Sequence, residues 1–227
     1  MPPTAAKSSP AAAAAGGLRA AVEALAAAKG VAPEALLELD LYGRCPPLER
    51  MDAGLAASPA VRRLSLSTNA IDRVAGLAAL PRLEILSLGR NALKRLDGVE
   101  AAAATLRELW VSYNQLERLG PVERCTQLKI LYASNNKIKD WGEVERLATL
   151  PALEELLLTG NPLAAAPGYR AEALRRLPRL KKLDGAPVTP AERVAALGGG
   201  GEGGGEGGEA AAARAPNEQR ESVDSSV

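Results

Sequence analysis

The chain has 227 residues, enough for one ordinary domain with tails or for a short repeat array. Its 28 basic and 27 acidic residues nearly cancel, so no global field points to nucleic acid or to an anionic membrane. Histidine and phenylalanine are both absent and aromatics make up 3%, so the commonest general base and metal ligand is missing and any core must be aliphatic.

In chain order, residues 1–17 are Ala/Pro/Ser/Gly and read as a flexible tail, because they hold too little apolar surface to offset the entropy of ordering. This stretch lacks the leucine-rich segment of a secretory signal, and no apolar run approaches a bilayer span. Two lone thiols, Cys45 and Cys125, suggest a reducing compartment. The expectation is a soluble intracellular protein. Leu18 to Lys29 predicts a cap helix with Leu18, Val22 and Leu25 on one face. The ordered domain is expected to span residues 18–197.

From there a period runs through the chain. A weak first unit at 36–55 has Leu39 and Leu41 as strand residues and Leu48 and Met51 on the return. Five stronger units follow: VRRLSLSTNAI (61–71), LEILSLGRNAL (83–93), LRELWVSYNQL (106–116), LKILYASNNKI (128–138) and LEELLLTGNPL (153–163). Their asparagines, Asn69, Asn91, Asn114, Asn136 and Asn161, recur every 22 to 25 residues. This is the signature of leucine-rich repeats. The expected fold is an α/β solenoid of about six repeats with helical caps. Short parallel strands line its concave face, and helices or 3-10 turns line its convex face. Each asparagine is expected to satisfy backbone groups where the chain turns inward, forming a structural ladder. Apolar residues three apart, such as Val74, Leu77 and Leu80 or Trp141, Val144 and Leu147, form the return.

Residues 169–188 predict a helix and a last strand. Thr189-Pro190-Ala191-Glu192 then reads as a capping box that opens a short helix ending at Gly198. Residues 198–227, rich in Gly and Glu, read as a second flexible tail.

Strand alternation sends two residues per repeat to the concave face. The central outward positions are Asp40, Ser65, Ser87, Trp110, Tyr132 and Leu157, preceded by Glu38, Arg63, Ile85, Glu108, Ile130 and Glu155. Trp110, Tyr132 and Leu157, flanked by Ile85 and Ile130, would form an exposed apolar patch of roughly 300–400 Å² that marks a partner site. Arg63 and Glu108 belong to its charged rim. A basic run at 170–182 reads first as the solvated face of a cap helix, with contact to an acidic surface as the functional alternative. Arg193, in the final helix, would project beyond it. No nucleophile elbow, phosphate loop or dinucleotide turn is present, so catalysis and cofactors are not expected.

Several stretches carry a closer likeness. LSLGRN, ELWVSYN and KDWGEVERL are far more specific than the repeat template. With PPLERMDAGL (46–55), LTGNPL (158–163) and LPRLKKLDGAPV (177–188), they resemble the leucine-rich-repeat light-chain family of axonemal outer-arm dynein over residues 18–195. The resemblance implies a non-catalytic protein, a monomer on its own, in the cytoplasm and cytoskeleton of the ciliary or flagellar axoneme. It implies binding to the heavy chain at the microtubule-binding stalk and regulation of motor engagement, with a tubulin contact left open. Trp110, Tyr132, Leu157, Ile85 and Ile130 would be the heavy-chain surface, and Arg193 would lie on the element that affects the motor. Family members carry further basic residues beyond that point, whereas this chain turns to glycine at Gly198. The alternative reading is another leucine-rich-repeat adaptor, of the phosphatase-regulating or spliceosomal type.

Overall fold

A computed structural model describes residues 17–198; the two expected tails lie outside the described residues apart from Gly17 and Gly198. Eight strands form one sheet in sequence order. They are β1 (Glu38–Asp40), β2 (Arg63–Ser65), β3 (Ile85–Ser87), β4 (Glu108–Trp110), β5 (Ile130–Tyr132), β6 (Glu155–Leu157), β7 (Lys182–Leu183) and β8 (Ala186–Pro187). Pairing is parallel through β7, and β8 folds back antiparallel to close the sheet.

The register stacks like on like. Leu39, Leu64, Leu86, Leu109, Leu131, Leu156 and Leu183 form one row across the sheet, each no more than 1% exposed. A second row, two residues later, runs Leu41, Leu66, Leu88, Val111, Ala133 and Leu158. Burying a leucine contributes about 1.5–3 kcal/mol, so these rows hold the stack together without large aromatic side chains.

The asparagine ladder ties the repeats at the next turn. Each Oδ1 accepts an amide of the preceding repeat: Leu48 N to Asn69, Ile71 N to Asn91, Leu93 N to Asn114, Leu116 N to Asn136 and Ile138 N to Asn161, at 2.9–3.0 Å. Each Nδ2 donates to one carbonyl of the preceding repeat and to its own repeat, as Asn136 does to Val111 and Ala133 at 3.0 Å and to Ser134 at 3.1 Å. Asp184 ends the series, accepting from Leu158 N at 2.6 Å and Thr159 N at 2.9 Å.

To aim those side chains inward, the preceding residue takes a left-handed backbone: Thr68, Arg90, Tyr113 and Asn135 have φ of 52–58°, and Gly160 has 78°. Thr68 is the costliest of these, since a β-branched residue fits that region poorly and its shielded Oγ1 has no partner. Its amide donates to Gly89 O at 2.8 Å, a bond glycine would keep. Thr68→Gly is therefore expected to raise stability by about 0.5–1 kcal/mol, after the entropy that glycine adds to the unfolded chain. A lower melting temperature would contradict this account.

Return length decides the convex elements. Most repeats close with 3-10 turns, such as Ala53–Ala57, Leu77–Ala79 and Val99–Ala102. The longest interval, from Asn136 to Asn161, admits the α-helix Trp141–Leu147, whose N-cap Asp140 accepts from Gly142 N at 2.9 Å. In chain order it is α2, following α1 (Leu18–Ala28) and preceding α3 (Tyr169–Arg176) and α4 (Pro190–Gly198).

Helix α1 caps the N-terminal end, burying Leu18, Ala21, Val22 and Ala26, with Leu25 half-buried beside them. It lies against the turn at 53–57 so closely that a Cβ on Gly54 would sit 2.5 Å from Arg19 N. At the other end α3 packs on α4. The capping box is formed: Thr189 N donates to Glu192 Oε2 at 2.8 Å, and Glu192 N to Thr189 Oγ1 at 3.2 Å.

Glu192 also meets Arg170 at 2.6 Å, and that hydrogen bond, followed by the one from the Thr189 amide, lowers its pKa to about 2 from an ordinary 4.5. A depressed carboxylate contributes stability above its unfolded pKa and loses it as pH falls through the folded value. The stability difference between the parent chain and Glu192→Gln is thus expected to be largest above pH 4.5 and to shrink as pH falls toward 2. Denaturant titrations across that range check this, and a pH-independent difference would refute it.

Candidate partner-binding surface

The β3–β6 register places Ser87, Trp110, Tyr132 and Leu157 side by side on the concave face, with Ile85, Glu108, Ile130 and Glu155 beside them. The Trp110 and Tyr132 rings stack at 5.8 Å between centroids, with their planes 27° apart. The Tyr132 hydroxyl donates to Glu155 Oε1 at 2.8 Å, and Lys182 Nζ lies 3.5 Å from the same carboxylate. Hydroxyl pairs floor the neighbouring columns: Ser67 and Ser87 at 2.6 Å, and Ser134 to Ser112 at 2.9 Å.

The side chains lie where alternation puts them, but they are less open than alternation alone implies. Trp110, Tyr132, Leu157, Ile85 and Ile130 are all half-buried, and Ser87 is only 4% exposed. Strands one spacing apart let large side chains lean on one another, so part of the patch is covered by the patch itself. The indole Nε1–H of Trp110 is shielded from solvent with no acceptor. An unpaired buried donor costs about 1–3 kcal/mol, which a phenylalanine in the same stack would avoid. Folding therefore does not account for tryptophan at this position.

Arg63 is exposed, 3.9 Å from Glu38, at the β1–β2 side of this face. A contribution that alternation did not reveal comes from the rim of left-handed residues. There the Arg90 guanidinium lies 4.3 Å over the ring of Tyr113, an exposed aromatic three residues after Trp110. The ELWVSYN stretch held the signal, but Tyr113 lies beyond the alternating strand positions.

The C-terminal expectation is corrected. Arg193 does not project; it turns back, and its guanidinium donates to the carbonyls of Pro178 and Leu180. Those carbonyls follow α3, and a planar fork of donors satisfies both at once. The groups that project from α4 are Val194 and Leu197, at 71% and 68% exposure. Most of the basic run is likewise engaged within the chain. Arg170 meets Glu192, Arg175 meets Glu172, and Arg176 meets Glu172 and Glu145 while lying 4.7 Å over Trp141. Lys181 meets Glu154, and Lys182 meets Glu155.

Among the described residues, no group of three His, Cys, Asp or Glu side chains is placed to hold a metal, and no helix is long and apolar enough to cross a membrane. A cleft between α2 and α3, of about 330 Å³, is lined by leucines, Pro178 and arginines, with no carboxylate, hydroxyl or thiol to carry acid–base or nucleophilic chemistry. Burial pushes the Cys125 thiol up to about 11, which leaves it protonated and unreactive at neutral pH.

Comparison with known proteins is consistent along the chain. A family profile for leucine-rich repeats (two copies) matches residues 104–149. The dynein axonemal light chain 1 of Chlamydomonas reinhardtii is 44% identical over 166 residues, covering 70% of this chain and 84% of that protein. The protein of the same name from Danio rerio is 51% identical over 156 residues, covering 67% of this chain and 81% of its own length. Among solved structures, a chain of the Drosophila melanogaster SNF/U2A′ complex is similar with a TM-score of 0.47 and 24% identity, covering 71% of this chain and 79% of that one.

Proposed function

The chain belongs to the dynein axonemal light chain 1 family, and on that premise we propose that it is a non-catalytic light chain of axonemal outer-arm dynein. It binds the heavy chain through the concave patch of Trp110, Tyr132, Leu157, Ile85 and Ile130, with Arg63 and Glu108 at its charged margin. Its place on the heavy chain is the microtubule-binding stalk, where it regulates how the motor engages its track and hence ciliary and flagellar motility. It works in the axoneme, as a monomer until it meets the heavy chain, with tubulin as a second surface within reach. Since Arg193 is tied to its own cap, any contact from the final helix is made by Val194 and Leu197 instead.

The observation that carries this reading is the stacked Trp110–Tyr132 pair on a face the core does not need. Tryptophan and tyrosine are the side chains most often found at the energetic centre of an interface. The direct experiment is extraction of axonemes at high salt. The chain should leave the axoneme with the outer arm and co-sediment with the heavy chain, and an isolated stalk fragment should retain it. Release without the arm would refute the assignment.

A further inference from the structure

Carboxylates on the first outward column of the sheet, and on the column before it, are matched by cations of neighbouring strands. Glu38 has Arg63 at 3.9 Å, Glu84 has Arg62 at 3.1 Å, Glu154 has Lys181 at 2.8 Å, and Glu155 has both Lys182 and the Tyr132 hydroxyl. Glu108 differs. Among the described residues no cation lies within 4.0 Å of it and no donor bonds its carboxylate, and it is half-buried. Its register neighbours are Ile85 on one side and Ile130 on the other, and Trp110 is two residues along the same strand.

An unmatched charge at the margin of an apolar patch, flanked on both sides by isoleucines, discriminates between ligands. A purely apolar segment laid across the patch would strip water from Glu108 and return nothing, which is unfavourable. A segment that brings a cation to the same point gains a charge-assisted hydrogen bond in a partly dried site. A neutral or acidic residue there would be rejected.

We propose that Glu108 sets the specificity of the concave patch, and that its partner segment is apolar over Trp110, Tyr132 and Leu157 and carries one lysine or arginine over Glu108. The inference rests on the reading of this face as the heavy-chain surface. Adjacent strands are about 4.8 Å apart, so the cation lies within one or two side-chain widths of the apolar anchors.

The test is calorimetric titration of the full chain with a recombinant fragment of the outer-arm heavy chain spanning the stalk tip, at low and high salt. Glu108→Gln, which keeps the shape and removes the charge, is expected to weaken binding about tenfold or more, and Glu108→Lys about a hundredfold. Both should melt like the parent chain, because Glu108 gives up no ion pair within it. Binding by Glu108→Gln should also depend less on salt, and reversing one lysine or arginine of the fragment to glutamate should rescue Glu108→Lys. Equal or tighter binding by Glu108→Gln overturns the charge requirement and leaves the patch standing, as does failure of every such reversal to rescue. No binding by the parent chain overturns the heavy-chain reading itself.

Discussion

Replacing Trp110 and Tyr132 together with alanine is expected to abolish binding to the heavy-chain stalk while leaving a folded solenoid. Each ring is a large apolar side chain on a face otherwise made of smaller aliphatic, hydroxyl and charged groups. Truncating an interface anchor commonly costs 2 kcal/mol or more, so the pair should remove about 4 kcal/mol or more of binding, roughly a thousandfold in affinity. The fold loses the ring stacking and the Tyr132–Glu155 hydrogen bond, together about 1–2 kcal/mol, while the rows beneath are complete without them. Affinity titration beside a melting curve separates the two effects. Trp110→Phe sharpens the comparison: it preserves a stacked ring and removes the shielded, unpaired indole N–H, so stability should hold or rise while affinity falls. If the double variant binds normally, or if it unfolds, the concave patch is not the docking surface.

The largest expected effect on stability lies in the ladder. Asn136 is 7% exposed, accepts from Leu116 N, and donates to the carbonyls of Val111 and Ala133, all at 3.0 Å. Asn136→Ala takes the side-chain partner from the Leu116 amide and from the carbonyls of Val111 and Ala133 in the middle of the stack. Each such orphan costs about 1–3 kcal/mol; allowing for relaxation, the total expected is about 3 kcal/mol. Because repeats in a solenoid are stabilised by their immediate neighbours, the loss should also broaden the unfolding transition as the two halves uncouple. Asn136→Asp should be at least as damaging, since a carboxylate would face two carbonyl oxygens. At the last rung the demand differs: Asp184 accepts from the N–H groups of Leu158 and Thr159 and is not called on to donate to carbonyls, so Asp184→Asn should be mild. Denaturant midpoints for the three variants test the ordering, and an unchanged midpoint for Asn136→Ala would remove the ladder from the account of stability.

Much of this molecule was readable from local pattern. A repeat makes every rung equivalent, so a leucine assigned inward at Leu64 is inward again at Leu86, Leu109 and Leu131, and the asparagines must align once the strands do. The capping box was equally legible, because Thr189 and Glu192 act across three residues of one turn. Alternation likewise put Trp110, Tyr132 and Glu108 on the same face. What alternation does not encode is which columns touch once the repeats stack. Arg176 finds Glu145 and Arg193 finds the carbonyls after α3 through contacts between segments that no local period relates, and Lys182 meets Glu155 once β7 docks in register on β6. Those pairings absorb most of the basic run at 170–182 and turn Arg193 inward. Among these carboxylates they leave Glu108 unmatched, and the rings of the patch half cover one another. A one-dimensional pattern specifies the rows of a solenoid, because each row repeats a single local environment. The charges and rings on its surface are settled by spacing between rows, and that exists only in the folded stack.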